Sequence, residues 1–397
     1  MKRAAVVFVA IFVGIAVEAQ KLRPDAFPSP ISPAAAKDIR MAASLDEMLR
    51  WDRYPTYDTY VGLMQHFAAE YPALCRIDTI GFSVQHRLIL ALAITGAGDN
   101  AEQRPEFLYS STMHGDEVTG FYLMLRLCDT LLRSYGTSPQ ITRLLDRTCV
   151  YINPLANPDG TYRAGNHTVA GAMRYNANYV DLNRNYPDPF GSVPLDSLQK
   201  ENEAMIAYVG SHNFVLSANL HGGSEVMNYP WDSYPSDECL NEHAEWWKAV
   251  CRRYVDTCRR YDSQRFRDVS GSGYINGGDW YVIRNGRQDY FNYYCGVREL
   301  TMEVSTDKVL SSQRLPHYWN CQSHALINYM EEVFSIGTSA GLRMPQEPKG
   351  FRAYPNPTRG PVTVDTPTRR YHYNLSDHPA GVHLLMVDGV PVKVVKQ

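Results

Sequence analysis

The 397-residue chain contains no Cys-x-x-Cys pair, carries no strong charge of either sign and shows no internal repeat. The missing Cys-x-x-Cys disfavours a thiolate-held zinc site of the finger or ribbon kind. A formal charge of −3 argues against nucleic acid and against an anionic membrane as partners. The lack of a repeat excludes a solenoid or array. The apolar stretch from Ala4 to about Val17 is shorter than the ~20 residues a membrane-spanning helix needs. Tryptophan is sparse, 6 residues against 27 tyrosines, a balance that leans toward a hydrogen-bonding extracellular surface.

What is present is a globular composition: 44% hydrophobic and 12% aromatic residues, enough for a sizeable core. Lys2 and Arg3 precede the apolar stretch, and Val17-Glu18-Ala19 ends it with small residues at the positions a signal peptidase reads. Residues 1–19 are therefore expected to be a secretory signal, cleaved after Ala19, and the protein to be secreted or held at the cell surface. Residues 20–43, rich in Pro and Ala, look like a mobile leader. Eight cysteines in an exported chain permit disulfides, but spacing assigns no pairing. Cys251 and Cys258 stand about two turns apart on one expected helix, too far to bridge each other.

Between residues 44 and 335 short apolar strands alternate with amphipathic helices. Strands are expected near Cys75–Phe82, Arg87–Thr95, Glu106–Met113, Thr148–Asn153, Phe214–Leu220 and Glu299–Val304. Helices are expected around Thr56–Tyr71, Glu117–Tyr135, Leu198–Ser211, Leu240–Tyr261 and Pro316–Phe334. This is the pattern of an α/β sheet covered on both faces.

The stretch from Phe107 to Glu117 organises the rest. His114 sits where its strand should stop, Gly115 permits a sharp turn, and an apolar helix begins after Glu117. In open α/β sheets chemistry collects beyond the carboxyl ends of strands. A His and a Glu three apart across such a turn can face one point and supply two ligands to a zinc ion. They could equally be a strand-capping His and a Glu favoured by the helix dipole. The strand Phe214–Leu220 repeats the arrangement, running into His221-Gly222-Gly223. Two histidines at equivalent strand ends, one followed by Glu, supply the His₂Glu set of a catalytic zinc with one position left open.

With these residues in place the chain resembles the zinc carboxypeptidase family, and within it the N/E or regulatory branch. The resemblance rests on His114–Glu117, Asn153–Gly160, Tyr175–Pro187, Ser217–Gly223, Asn228–Asp232 and Thr301–Val304, in family order across about Tyr54 to Phe334. It implies a mixed central sheet with helices on both faces. It also implies one zinc per chain, held by His114, Glu117 and His221, and peptides or proteins with free C-termini as substrates. Glu303, on the apolar run Thr301–Val304, matches the general base and should have a raised pKa. Arg174 matches the arginine beside the scissile carbonyl. Asn183 and Arg184 match the clamp on the terminal carboxylate, and Tyr281 the tyrosine that closes over substrate. Asp232, eleven positions after His221, matches the pocket acid that pairs with a C-terminal Lys or Arg; Gln288, before Asp289, also agrees with the branch. Other outcomes are a broad or cell-wall-peptide specificity, or a non-catalytic binding module on the same scaffold.

The chain departs from the family at Asp116, often Asn, and at Asn276–Trp280, usually more apolar. Extra negative charge there would favour cationic substrates. The branch usually adds a transthyretin-like domain, which is not expected in the residues after Phe334. Instead residues 336–351 read as a linker, and 352–397 as a β-rich tail with Tyr354-Pro-Asn-Pro357 and a turn at Asp388-Gly389. The tail resembles the C-terminal sorting domain of proteins exported by type IX secretion, which implies the outer-membrane secretion machinery as a partner. A monomer is expected.

Overall fold

The computed structural model describes residues 38–98, 103–190, 195, 197–336, 352–354, 358–377, 381–387 and 390–396. The expected signal, most of the leader, nearly all of the linker and the Asp388-Gly389 turn lie outside them.

The chain enters through a short parallel pair, β1 (Met41–Ala42) and β2 (Tyr54–Pro55). Residues 38–43, within the stretch expected as leader, are thus tied to the catalytic region. Arg40 N–H also donates to Ser312 Oγ at 2.8 Å. The central sheet has eight strands: β3 (Cys75–Phe82), β4 (Leu88–Ile94), β5 (Glu106–Ser111), β6 (Cys149–Asn153), β7 (Phe214–His221), β8 (Ser224–Tyr229), β9 (Tyr274–Asn276) and β10 (Arg298–Ser305). Their order is β3-β4-β6-β5-β7-β10-β8-β9. β6, β5, β7 and β10 run parallel, while β4 and β8 join them antiparallel on either side. The expected mixed α/β sheet is what the chain forms.

Successive side chains of a strand point to opposite faces, and both faces of this sheet are covered. Phe107 and Tyr109 enter one core with the helices Tyr57–Glu70, Thr119–Ser134, Ala244–Tyr261 and Leu315–Glu331. Leu108 enters the other, with Tyr151, Tyr208 and Phe214 beneath the helix Lys200–Gly210. Local signals place the helix ends. Thr59 N–H donates to the Thr56 side chain at 3.2 Å, and Ser138 caps a helix, Pro139–Arg147, that begins on its proline.

That last helix and strands β8 and β9 were not legible in the sequence. Ser224–Tyr229 carries Glu225 and Asn228 and follows two glycines, so it reads as a loop. It becomes a strand because β10 offers it a partner, Glu303 opposite Val226. All eight cysteines are free thiols. Among the described residues no helix is long and apolar enough to cross a membrane.

The tail is built from β11 (Arg352–Tyr354), β12 (Pro361–Asp365) and β13 (Arg370–Asn374) as one antiparallel sheet, with β14 (Gly381–Val387) and β15 (Val390–Lys396) paired separately. Val362, Val364, Leu375, Val387, Val392 and Val394 form its small apolar cluster.

Candidate active site

Three parallel strands deliver the site. Register places Ser111 of β5 beside Leu220 of β7, and Glu303 of β10 beside His221 of β7. After β5 the chain turns through Thr112, whose φ of 61° lies in the left-handed region that a β-branched residue rarely enters. Thr112 Oγ1 donates to the Glu117 carbonyl at 3.2 Å, tying this turn together.

His114, Glu117 and His221 are all buried, and their ligand atoms lie within 4.8 Å of one another. Glu117 Oε2 stands 3.1 Å from His114 Nδ1 and 2.8 Å from His221 Nδ1, and the two Nδ1 atoms are 3.0 Å apart. The outer ring nitrogens fix the tautomers. His114 Nε2 lies 3.1 Å from Asp181 Oδ1, a pure acceptor, so Nε2 carries the proton in the neutral ring. Asn219 Nδ2 lies 2.6 Å from His221 Nε2, so the amide donates to that ring nitrogen. His114 Nδ1 is then bare, and both Nδ1 atoms face the same carboxylate oxygen inside the protein. Two imidazole nitrogens and one carboxylate oxygen that converge this closely are a zinc donor set. Burial drives the His221 pKa down to about 4, which keeps its ring neutral. Burial works against ionised Glu117, yet His114 and His221 hold its pKa well below the ordinary value.

Asp181 was missed in the sequence, although it stands inside the Tyr175–Pro187 run. Besides His114 it accepts from Arg174 Nε at 3.0 Å and from the Asn183 backbone N–H at 2.8 Å. Burial opposes its charge, but Arg174 and His114 hold its pKa far down. Arg174 is thereby fixed through Nε and Nη2, leaving Nη1 3.5 Å from Glu117 Oε1. Asn219, two positions before His221, could have been read from strand alternation. Nothing in the sequence marks Lys308, which sits 3.4 Å from both Glu117 Oε1 and Asp116 Oδ2. It therefore offsets the charge at Asp116 that the sequence placed near the pocket. Asp279 also turns away; it is exposed and accepts from Ser236 N–H and Oγ, both at 2.7 Å.

Glu303 is buried, and its Oε2 has no hydrogen-bond partner. Burial first, then the nearby Glu117 charge, pushes its pKa well above the ordinary carboxylate value. Tyr281 is half-buried, and burial, then the Glu303 charge, pushes its pKa well above the ordinary value. Asn183 Oδ1 accepts the Arg287 backbone N–H at 2.9 Å, and Arg184 Nη1 donates to the Asn183 carbonyl at 2.9 Å. Asp232 is 1% exposed. Its Oδ1 accepts from Gln288 Nε2 at 2.8 Å, and its backbone N–H and that of Ser233 donate to Asp289 at 2.8 and 2.9 Å. Burial, then Asp289, raises the Asp232 pKa far above the ordinary value. Gly286 stands between Asn183 and Asp232. A Cβ there would lie 3.6 Å from Asn183 Oδ1 and 3.8 Å from Asp232 Oδ2.

The fold and this donor set define a class: an α/β protein with a candidate metal centre at the carboxyl ends of its parallel strands. Comparison with known proteins narrows it. Residues 60–325 match the zinc carboxypeptidase family, and the chain belongs to that family. Carboxypeptidase D of Rattus norvegicus is 34% identical over 283 residues, 68% of this chain but 20% of the rat protein. Carboxypeptidase N catalytic chain of Mus musculus is 31% identical over 315 residues, 71% of this chain and 69% of that protein. These relatives carry the names of the N/E branch. The carboxypeptidase A structure from Helicoverpa armigera superposes with a TM-score of 0.62 at 18% identity, covering 77% of this chain and 79% of that one. Thrombin activatable fibrinolysis inhibitor does so with a TM-score of 0.61 at 16% identity, covering 79% and 80%. Both show the same fold. The family uses one zinc ion, and the His-Glu-His cluster fits it.

Proposed function

We propose that the protein removes the C-terminal residue from peptides and proteins, with a preference for Lys or Arg. The observation that carries this reading is Glu303, a buried carboxylate with an unpartnered oxygen, one strand from His221 in the same register. Zinc held by His114, Glu117 and His221 would supply a polarised water whose pKa falls to about 7. Glu303, whose raised pKa lets it take up a proton readily, suits the shuttle that accepts the water proton and gives it to the leaving amine. Arg174, immobilised by Asp181, presents Nη1 to the developing oxyanion without reorganising. Asn183 and Arg184 receive the terminal carboxylate, which an endopeptidase would have no means to use. Tyr281 closes over the substrate and excludes water.

Asp232 accounts for the side-chain preference. A buried acid meets a cationic terminus with a charge-assisted bond, whereas a neutral terminus leaves it without a partner. The N-terminal signal pattern and the sorting-type tail support export, with residues 352–397 serving as an address for the secretion machinery.

The test is hydrolysis of blocked dipeptides that differ only in the last residue, with and without a chelator. Lys- and Arg-terminated members should be cleaved fastest, and the chelator should stop all cleavage. No cleavage of any member would overturn the enzymatic reading, and equal rates for Leu and Arg the specificity alone.

A further inference from the structure

Besides the catalytic trio, one further set of metal-donor side chains converges among the described residues: Asp262, His317 and Cys321, each offering an atom within 4.8 Å of the other two. Asp262 caps the carboxyl end of the helix Ala244–Tyr261, its N–H donating to the Cys258 carbonyl at 3.1 Å. His317 and Cys321 stand four residues apart on the helix Leu315–Glu331, so they share one face. The two helices lie side by side, joined at their centres by Tyr254 Oη donating to Gln322 Oε1 at 3.1 Å.

His317 Nε2 is 3.1 Å from Asp262 Oδ2 and 3.5 Å from Cys321 Sγ. Both partners therefore use the same ring nitrogen. A nucleophile relay would place the thiol on one nitrogen and the carboxylate on the other. One proton on Nε2 cannot serve both neighbours well, while a metal ion serves all three. The spacing agrees with that use. Tetrahedral ligands at ordinary zinc bond lengths stand about 3.3 Å apart for N and O, and about 3.5 Å apart for N and S.

The surroundings are those of a metal site. Gln264 N–H donates to Asp262 Oδ1 at 2.9 Å, which leaves Oδ2 turned to the trio. Cys321 is buried at 2% exposure, whereas the His317 side chain is 50% exposed, so the cluster opens to solvent on one side. Arg265, whose charge acts on Cys321, is ion-paired with Glu225 and stacked 4.0 Å over the Tyr318 ring. Burial raises the Cys321 thiol to about 11 and Arg265 pulls it back; a bound metal deprotonates such a thiol outright.

We propose that Asp262, His317 and Cys321 form a second metal site, separate from the catalytic centre, that takes zinc or another thiophilic divalent ion. It ties the end of the helix Ala244–Tyr261 to the start of the helix Leu315–Glu331. The mix of thiolate, imidazole and carboxylate excludes magnesium and calcium. This inference does not depend on the peptidase reading.

The full chain, reduced, stripped of metal and titrated with Co²⁺, tests it. Wild type should bind two equivalents, one of which gives a thiolate-to-cobalt charge-transfer band in the near ultraviolet. The His-Glu-His centre has no thiolate and cannot produce that band. Cys321→Ser and His317→Gln should each lose the band and one equivalent, and keep the visible absorption of the other cobalt. His317 is exposed, so its variant is informative even where the buried Cys321→Ser fails to fold. A single equivalent without charge transfer in wild type, or a band that survives His317→Gln, would overturn the proposal.

Discussion

Gly277 is set so tightly against Asp232 that a Cβ on it would lie 1.9 Å from Asp232 Oδ1 and 2.6 Å from Asn228 Oδ1. Asp232 is thus positioned by an absence of side chain as well as by Gln288. Gly277→Ala should displace Asp232 and lower kcat/KM for Arg-terminated substrates at least about tenfold, or 1.36 kcal/mol. Zinc content should not change. Kinetics on matched Arg and Leu substrates check this, and an unaltered Arg rate would remove Asp232 from the pocket.

Direct substitution is the sharper case. Wild type should favour basic over neutral termini by about a hundredfold or more in kcat/KM. Asp232→Asn should close most of that gap, chiefly by slowing the basic substrates. A gap that persists in the variant would assign specificity to another residue.

The same pair makes specificity depend on pH. Burial raises both acids, and Asp289 reaches about 6 even though the Asp232 and Ser233 N–H groups favour its ionised form. A cationic terminus needs the ionised pocket, so its binding must expel the proton. The Arg-to-Leu ratio of kcat/KM should therefore fall on acidification, as the pocket takes up its proton, and recover as pH rises. Proton transfer by Glu303 is common to both substrates and cancels in the ratio. The raised acids also favour the native state at low pH, and that contribution to folding is lost as pH rises through the folded value. A ratio that stays flat below neutrality would show that the pair does not meet the substrate.

Glu303→Gln should retain the fold and zinc and lose about 10²–10⁴-fold in kcat. Metal analysis alongside kinetics separates the loss of a proton shuttle from the loss of metal. Activity within a few-fold of wild type would place the base elsewhere.

If residues 352–397 are an address, mass spectrometry of enzyme from the native culture medium should find a mature C-terminus between about Ser335 and Arg352. An intact Gln397 on the extracellular enzyme would count against a removable tail.

Chain order alone determined the strands that carry chemistry and the residues at their ends. Apolar runs such as Phe214–Leu220 and the glycines after His114 and His221 are local signals, because side-chain period and turn geometry act over a few residues. Tertiary structure decided what those residues meet. Asp181 reaches His114 across 67 positions and Lys308 reaches Asp116 across 192, so the charge that looked surplus in the sequence is offset in space. Strand β8, polar and short, exists because β10 has a free edge to pair with it. Asp262, His317 and Cys321 come together only where two helices lie side by side. Buried charges and unpaired backbone must find partners wherever the chain brings them near, and no local pattern encodes a meeting between segments so far apart.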